Sequence, residues 1–252
     1  MILTYHGVKG HEKEAFERHM ELLRSAYVPV TADFGGEGKP CTHCVAVTFD
    51  DAYQSVLANA LPILMEKRIP ATIFVPAGFI GDRPAWMEDR NPDRETERVM
   101  TEEQLRRLPA DLFSVGSHSC SHKRLTGLAS AEIEKDLGGS KERLEKILSR
   151  KVGTLAFPFD DWDDRVIGIA KKLGFTRVFA NVALNRGRET SGYLYSRIQI
   201  SMDDGDLEFR LKMRGAYWWL AYAIALKHRL ERLVGARPQV NREPDKSEVS
   251  AR

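Results

Sequence analysis

The sequence has few cysteines, almost no net charge and no long apolar run. Its 252 residues include three cysteines and carry a formal net charge of +2. So few cysteines are typical of a reducing compartment, and a charge near zero gives no electrostatic reason to expect a nucleic-acid partner. No stretch reaches the ~20 apolar residues of a membrane span. These shortages argue against a disulfide-stapled scaffold, a polyanion-binding surface and an integral membrane protein.

The first residues also lack the pattern of a secretory leader. Met1 is followed by Ile2–Tyr5 without a basic segment, a long apolar core or a small-residue cleavage site, so we expect a cytoplasmic protein. Cys41 and Cys44 have CxxC spacing, but no second ligand pair is present for structural zinc. We expect both to be plain thiols, because free cysteines pack readily as small hydrophobes.

Short apolar runs alternate with helical patterns over the first 200 residues. Strands alternating with helices indicate a parallel sheet, and roughly seven such units over about 200 residues favour a barrel over an open sheet. We predict an α/β barrel over residues 1–205. Its predicted strands are Met1–Tyr5, Cys44–Phe49, Ala71–Val75, Leu112–Gly116, Thr154–Phe157, Arg177–Phe179 and Tyr193–Ile200.

The C-terminal part has a different character. Residues 206–235 read as a helical extension, and residues 236–252 are polar, contain prolines and are predicted to be disordered. The segment 215–232 combines aromatic and cationic residues, as helices at membrane interfaces do. Three interpretations stay open for the extension: peripheral membrane contact, docking on the barrel, or a subunit interface. The sequence does not define the oligomeric state.

Two motifs carry the candidate chemistry. Asp50 and Asp51 end one predicted strand, and His118 and His122 follow another at a spacing of four residues. One carboxylate and two imidazoles make a three-ligand site for a divalent metal, with positions open for water and substrate. The other carboxylate is then a candidate base. Taken alone, an Asp-Asp pair is more often a turn or a helix cap.

These motifs belong to an ordered set that resembles a known family. Thr48-Phe49-Asp50-Asp51 and the His-x3-His pair, with Leu3–Val8, Pro70–Val75 and Ala156–Phe159 around them, are similar to the polysaccharide deacetylase (NodB-homology, carbohydrate esterase 4) superfamily. The resemblance spans roughly residues 1–200. It implies a distorted (β/α)7 barrel, with the site at the C-terminal ends of the strands.

The resemblance also implies residue roles. Asp50 corresponds to the general base, and Asp51, His118 and His122 correspond to the metal ligands. The backbone N–H of Phe159 corresponds to an oxyanion-hole donor. Tyr5-His6 matches a branch with an N-terminal Tyr-His motif, which makes His6 the candidate general acid. The alternative for His6 is an ordinary loop histidine.

The chain departs from the family pattern at three places. Ala52 and Asp160 stand where the family usually has glycine, and the usual arginine before the third motif is absent. Because a residue other than glycine is less free to adopt positive φ, we expect a different loop shape at Asp160. Arg197 is a candidate replacement for the missing arginine through a pair with Asp50. Its alternative is a surface arginine.

Three further residues are candidates for substrate contact. Trp86 lies in a long polar insertion over residues 76–100, and long loops in compact domains are often functional. A packed Trp on a surface loop is the alternative interpretation. Tyr53 follows the first motif, Pro158 lies within Ala156–Phe159, and both complete the predicted substrate-binding set.

The resulting prediction is a metal-dependent hydrolase, with zinc as the expected ion, that removes an N-acyl group from an amino sugar or glycan. Acetyl is the expected acyl group. Two alternatives stay open. One is a deformylase or esterase acting on a lipid-linked or nucleotide-linked sugar. The other is a non-catalytic glycan-binding barrel with an altered site. Asp160 and the missing arginine are the features that support it.

Overall fold

The structure, a computed structural model, describes residues 1–34, 41, 43–87, 97–181 and 192–216. Within these ranges the chain forms eight strands and six α-helices. The strands are β1 Ile2–Tyr5, β2 Val28–Val30, β3 Cys44–Phe49, β4 Ala71–Val75, β5 Phe113–Ser117, β6 Thr154–Ala156, β7 Arg177–Asn181 and β8 Leu194–Gln199. The helices are α1 Lys13–Ala26, α2 Leu61–Lys67, α3 Glu102–Arg106, α4 Ser130–Leu148, α5 Asp164–Lys172 and α6 Asp206–Met213.

Seven of the strands close into a parallel barrel. Strands β3 to β8 pair in sequence order, and β1 closes the ring between β8 and β3. Leu3 on β1 pairs with Ile198 on one side and Val47 on the other. The predicted seven-stranded α/β barrel is confirmed. The additional strand β2 pairs with the start of β3 and was not predicted.

The barrel interior is filled by every second residue of each strand, as the two-residue period requires. Ala46, Phe74, Ala156 and Phe179 form one buried cluster there. Gly116 makes room for it, because a Cβ at this position would lie 2.5 Å from the Phe74 ring and from Thr154 Oγ1. A side chain at position 116 would therefore displace the Phe74 ring or Thr154.

The predicted helical faces pack against the outside of the barrel. The faces on α1 and α4 that repeat every three or four residues are buried, including Phe16, Met20, Leu23, Ile133, Leu137 and Leu144. Thr101 caps α3 by accepting a hydrogen bond from the Gln104 N–H, and Asp163 caps α5 by accepting one from the Val166 N–H. Thr and Asp suit this position because their side-chain oxygens accept from the free N–H groups of the first helical turn.

The first part of the C-terminal extension is helical. Helix α6 contacts α1 through Phe209, whose ring stacks on His19 with centroids 4.3 Å apart. The remaining extension over residues 217–235 and the tail over 236–252 lie outside the described residues, so the predicted membrane contact at 215–232 stays a prediction. Among the helices that the structure describes, none combines the length and apolar character needed to cross a bilayer.

The prediction of free thiols at Cys41 and Cys44 is wrong. The two residues form a disulfide, with Cα atoms 5.4 Å apart. The CxxC spacing brings the Cα atoms within the range that a disulfide requires, and the composition of the whole chain does not report that local geometry. Cys120 is the free cysteine.

Candidate active site

A cavity of about 600 Å³ opens at the C-terminal ends of the barrel strands. Sites of α/β barrels lie at this end because the loops after the strands converge there. The cavity is lined by Tyr5, His6, Gly7, Lys9, Glu12, Asp50, Asp51, Tyr53, Trp86, Glu97, His118, His122, Phe157, Phe159, Asp160, Asn181, Gln199, Ile200, Ser201 and Met202. It therefore collects acidic groups and imidazoles from loops that are far apart in sequence.

The strands deliver these side chains by continuing their inward alternation past the last paired residue. On β3, Asp50 follows inward-facing Ala46 and Thr48 at intervals of two. His118 stands two residues after Gly116, and Asn181 stands two residues after Phe179. The site is thus the uppermost layer of the barrel interior.

The loops that hold the site are conformationally unusual. Eight non-glycine residues in the described ranges have positive φ, and six of them belong to the site loops: Asp51, Ala52, Ser119, His122, Phe159 and Asp160. Left-handed backbone at such residues costs free energy and clusters at functional sites. At Asp51 (φ 67°) and Ala52 (φ 49°) it turns the chain sharply after β3, which lets neighbouring Asp50 and Asp51 both face the cavity.

Asp51, His118 and His122 converge on one point. Their candidate ligand atoms all lie within 4.8 Å of one another. Asp51 Oδ1 lies 3.2 Å from His122 Nε2 and 3.6 Å from His118 Nε2. Ligands about 2.1 Å from a tetrahedral ion are about 3.4 Å apart, so these separations suit one shared ion. The two imidazoles face the same side of the domain.

The protonation states of this cluster also fit a metal. Asp51 Oδ1 is buried and has no hydrogen-bond partner among the described residues. Burial opposes ionisation of Asp51, but His122 and His118 outweigh it and hold the pKa of this carboxyl well below its usual range. Burial lowers the pKa of His118 to about 4, so its imidazole is neutral at pH 7. One carboxylate and neutral imidazole nitrogen are ligands that divalent transition metals accept.

Asp50 is held by a buried arginine. Arg197 Nη1 and Nη2 donate to Asp50 Oδ1 and Oδ2 at 2.7 and 2.8 Å. Arg197 is 1% and Asp50 3% exposed. Burial would raise the pKa of Asp50, but the Arg197 guanidinium outweighs burial and keeps the pKa below its usual value. The predicted Asp50–Arg197 pair is confirmed, whereas the catalytic role of either residue stays a prediction.

The other predicted site residues lie around this centre. His6 is exposed on the cavity wall, and its charge contributes to the lowered pKa of Asp50. Phe159 (φ 55°) forms part of the wall, and its ring is 4.8 Å from the His122 ring. Tyr53 and Trp86 line the cavity, whereas Pro158 is buried. The roles predicted for these residues, including the Tyr-His motif, stay predictions.

The loop at Asp160 takes the conformation that we expected an aspartate to avoid. Asp160 has φ 53°, and its carboxylate accepts hydrogen bonds from the Asn181 N–H at 2.8 Å and Nδ2 at 2.7 Å. These bonds stabilise the left-handed backbone at Asp160, a conformation that glycine would adopt without such support. Asn181 was not predicted from the sequence, although the alternation along β7 points it into the cavity two residues after Phe179.

A second supporting acid was also missed. Asp136 on α4 accepts hydrogen bonds from the backbone N–H groups of Cys120 and Ser121 at 2.7 and 3.0 Å, and from the Ser121 hydroxyl. It thereby holds the loop between the two histidines. An acidic residue within a long surface helix carries no sequence signal for such a role, because its partner lies on another element.

The fold and the site define a parallel α/β barrel with a candidate carboxylate–histidine metal centre at its C-terminal mouth. The family model for polysaccharide deacetylases matches residues 37–178, which is more than half of the chain. The chain belongs to the polysaccharide deacetylase family. The class of this family, hydrolases that act on carbon–nitrogen bonds other than peptide bonds, confirms the enzyme class predicted from sequence.

The chain is similar to two curated bacterial proteins. It is 24% identical to YxkH of Bacillus subtilis over 211 residues, which cover 79% of this chain and 71% of that protein. It is 27% identical to a poly-β-1,6-N-acetyl-D-glucosamine N-deacetylase of Staphylococcus aureus strain MSSA476 over 169 residues, which cover 66% of this chain and 58% of that protein. The chain thus spans somewhat more than half the length of the staphylococcal relative.

Solved structures agree with the fold. IcaB from Ammonifex degensii superposes with a TM-score of 0.69 at 22% identity, covering 86% of this chain and 95% of that chain. The Streptococcus pyogenes deacetylase PplD, in complex with acetate, gives a TM-score of 0.67 at 20% identity, covering 84% and 96%. The barrel architecture is therefore that of deacetylases with solved structures.

Proposed function

We propose that this protein is a metal-dependent N-deacetylase that removes acetyl groups from the N-acetylated amino sugars of a glycan. The observation that carries the proposal is the convergence of Asp51, His118 and His122 beside the Asp50–Arg197 pair in one cavity. The staphylococcal relative, which is named for deacetylation of poly-N-acetylglucosamine, supports the substrate class.

Asp51, His118 and His122 would hold the ion, and we propose zinc because two imidazoles and one carboxylate are a common zinc ligand set. When bound, the ion supplies Lewis-acid polarisation of the acyl carbonyl and acidifies a water. Asp51 is buried and ionised, and the neutral His118 imidazole keeps a lone pair on Nε2, since its Nδ1 lies 2.8 Å from the Ala156 carbonyl oxygen and donates to it.

The remaining residues handle protons and charge. Asp50 takes a proton from the attacking water, and Arg197 keeps this base ionised and oriented. The Phe159 N–H, at a left-handed turn on the cavity wall, donates to the oxyanion that forms as water adds to the carbonyl carbon. Preorganised donors of this kind need no reorientation during the reaction.

His6 completes the reaction on the leaving-group side. As the C–N bond breaks, His6 donates a proton to the departing nitrogen, and the products are acetate and a free amino sugar. Histidine suits this step because its unperturbed pKa lies near neutrality. The exposure of His6 at the cavity mouth agrees with contact to a glycan that enters from solvent.

The test is acetate release from N-acetylglucosamine oligomers with β-1,6 and β-1,4 linkages. We expect release by the protein loaded with zinc, loss of release after exhaustive chelation, and recovery when zinc is restored. Formylated oligomers and acetyl esters, run in parallel, separate deacetylation from deformylation and esterase activity. Binding of the oligomers without release of any acyl group, by protein that holds one zinc per chain, would support a glycan-binding barrel and contradict the proposal.

Replacing His6 by Ala tests the acid. We expect turnover of amide substrates to fall by about 10²–10⁴-fold, the range typical of a general acid or base. Hydrolysis of an activated aryl ester should fall much less, because a good leaving group needs little protonation. The measurement is kcat on both substrates with zinc content held equal.

His11→Ala is the matched control, because His11 is an exposed histidine of the neighbouring turn that does not line the cavity. It should leave both activities unchanged. An equal loss on amide and ester in His6→Ala would contradict the leaving-group role.

A further inference from the structure

The two histidines of the candidate metal centre are oriented in different ways. His118 Nδ1 is fixed by its hydrogen bond to the Ala156 carbonyl oxygen at 2.8 Å. His122 Nδ1 is buried and has no partner among the described residues. Metal-binding histidines almost always donate their second N–H to an acceptor, which fixes the ring plane. Another contact must therefore orient His122.

Aromatic rings enclose His122 instead. The Trp86 ring stacks on it with centroids 3.7 Å apart and planes inclined by 19°. The Phe159 ring contacts it edge-on at 4.8 Å and 67°. Phe79 packs edge-on against Trp86 at 4.9 Å. A stack this close leaves the imidazole no room to rotate out of its plane, because the neighbouring rings would clash with it.

Tyr53 orients another candidate ligand, Asp51, through a hydrogen bond. Its hydroxyl donates to Asp51 Oδ2 at 2.6 Å, while Oδ1 is the oxygen that points at both histidines. Tyr53 and Trp86 line the same cavity beside these ligands. Each of two candidate ligands therefore has an outer contact: Tyr53 for Asp51 and Trp86 for His122.

We propose that Tyr53 and Trp86 are positioning residues of the metal centre. Tyr53 occupies Oδ2 and reserves Oδ1 of Asp51 for the ion, and Trp86 fixes the ring of His122. This inference rests on the proposed metal dependence. It gives both residues a role that substrate contact alone does not require.

Metal affinity of the apo-protein tests the proposal without turnover. Zinc binding is measured by competition with a chromophoric chelator for wild type, Tyr53→Phe, Trp86→Leu and Trp86→Phe. We expect Tyr53→Phe and Trp86→Leu to weaken binding by about 10–100-fold, as loss of an outer-shell partner typically does. Trp86→Phe keeps an aromatic face for His122 but a smaller one, so it should bind with intermediate affinity.

Tyr195→Phe is the matched control. Its hydroxyl donates to the Gly192 carbonyl oxygen at 3.2 Å, away from the cavity, so its zinc affinity should equal that of wild type. Tyr53→Phe changes a single oxygen, which keeps the test usable if Trp86→Leu fails to fold. Zinc affinities of Tyr53→Phe and Trp86→Phe within twofold of wild type would overturn the proposal.

Cobalt substitution gives a second readout. Visible absorption of bound Co²⁺ is stronger at four-coordinate than at six-coordinate sites, so it reports on coordination. Freeing Oδ2 in Tyr53→Phe lets Asp51 offer both oxygens, and we expect a weaker, shifted spectrum. If the spectrum of Tyr53→Phe were identical to that of wild type, the Tyr53 hydroxyl would not be what limits Asp51 to one ligand oxygen.

The outcomes separate this inference from the proposed function. Suppose that wild-type protein binds zinc but releases no acetate, and that Tyr53→Phe and Trp86→Leu bind zinc more weakly. This result would refute deacetylation and support the positioning roles. Wild-type protein that binds no divalent metal would overturn both proposals. Normal deacetylation with unchanged variant affinities would overturn only the positioning roles.

Discussion

Replacing Asp50 by Asn is expected to lower the turnover of N-acetylated oligomers by about 10²–10⁴-fold while zinc binding persists. An amide cannot accept the proton of the attacking water, whereas the candidate ligand atoms belong to Asp51 and the two histidines. The measurements are acetate release under saturating substrate and zinc content per chain. Turnover is normalised to folded protein, because the variant leaves the buried Arg197 without its full partner.

Asp51→Asn is the matched control for the base. It changes the adjacent carboxylate, so it should weaken zinc binding as well as turnover. If Asp50→Asn lost zinc and Asp51→Asn kept it, the roles assigned to the two aspartates would be reversed. Full turnover in Asp50→Asn would contradict a base at position 50.

The sequence predicted the barrel well where strands are buried on both faces. The observed bounds of Cys44–Phe49 and Ala71–Val75 equal the predicted ones, because a continuous apolar run between polar residues or prolines marks a strand buried on both faces. The strand Val28–Val30 was missed. It has three residues with a central proline, so neither its length nor its composition gives a strand signal.

The ligands of the candidate site were predictable because they sit in two contiguous motifs at strand ends. The pair between Asp50 and Arg197 joins residues 147 positions apart. It was predicted only because the arginine that the family usually has before the third motif is absent. The stack of Trp86 on His122 and the support of the histidine loop by Asp136 were not predictable. Both depend on how loops and a helix meet in space, which no local pattern encodes.

The backbone of the site was the least predictable part. Ala52 and Asp160 stand where glycine is usual, and the sequence suggested a changed loop at Asp160. The structure instead keeps positive φ at both positions. The bonds from Asn181 to Asp160 provide the compensation, and a side chain on another strand cannot be inferred from the loop itself. Tertiary contacts here override the intrinsic preference against left-handed conformation.

The second large effect concerns Arg197. Its guanidinium contacts both oxygens of Asp50 and lies over the Phe74 ring, with its carbon 5.4 Å from the ring centroid. Breaking a buried ion pair by removing one partner typically costs about 3–5 kcal/mol, because the other charge stays buried and unpaired. We expect Arg197→Leu to lower the free energy of unfolding by that amount, as measured by urea denaturation of the apo-protein.

Arg197→Leu should also move the pH dependence of turnover. The guanidinium lowers the pKa of Asp50, so its removal raises that pKa. Because Asp50 accepts a proton only when ionised, the acidic limb of the kcat/KM profile should shift to higher pH. Arg197→Lys keeps a charge but not the two parallel hydrogen bonds, so its limb should lie between those of wild type and Arg197→Leu.

Two controls separate pairing from general damage to the barrel. Arg177→Leu removes a partly buried arginine on β7 that contacts the Tyr195 ring and the Ala32 carbonyl oxygen, and it should leave the acidic limb in place. The double variant Asp50→Leu/Arg197→Leu removes both charges, so it should be more stable than Arg197→Leu alone, because replacing a whole buried pair by apolar groups is often neutral or favourable. A double variant less stable than Arg197→Leu would mean that the unpaired Asp50 carboxylate is not what destabilises Arg197→Leu, and it would contradict the pairing explanation.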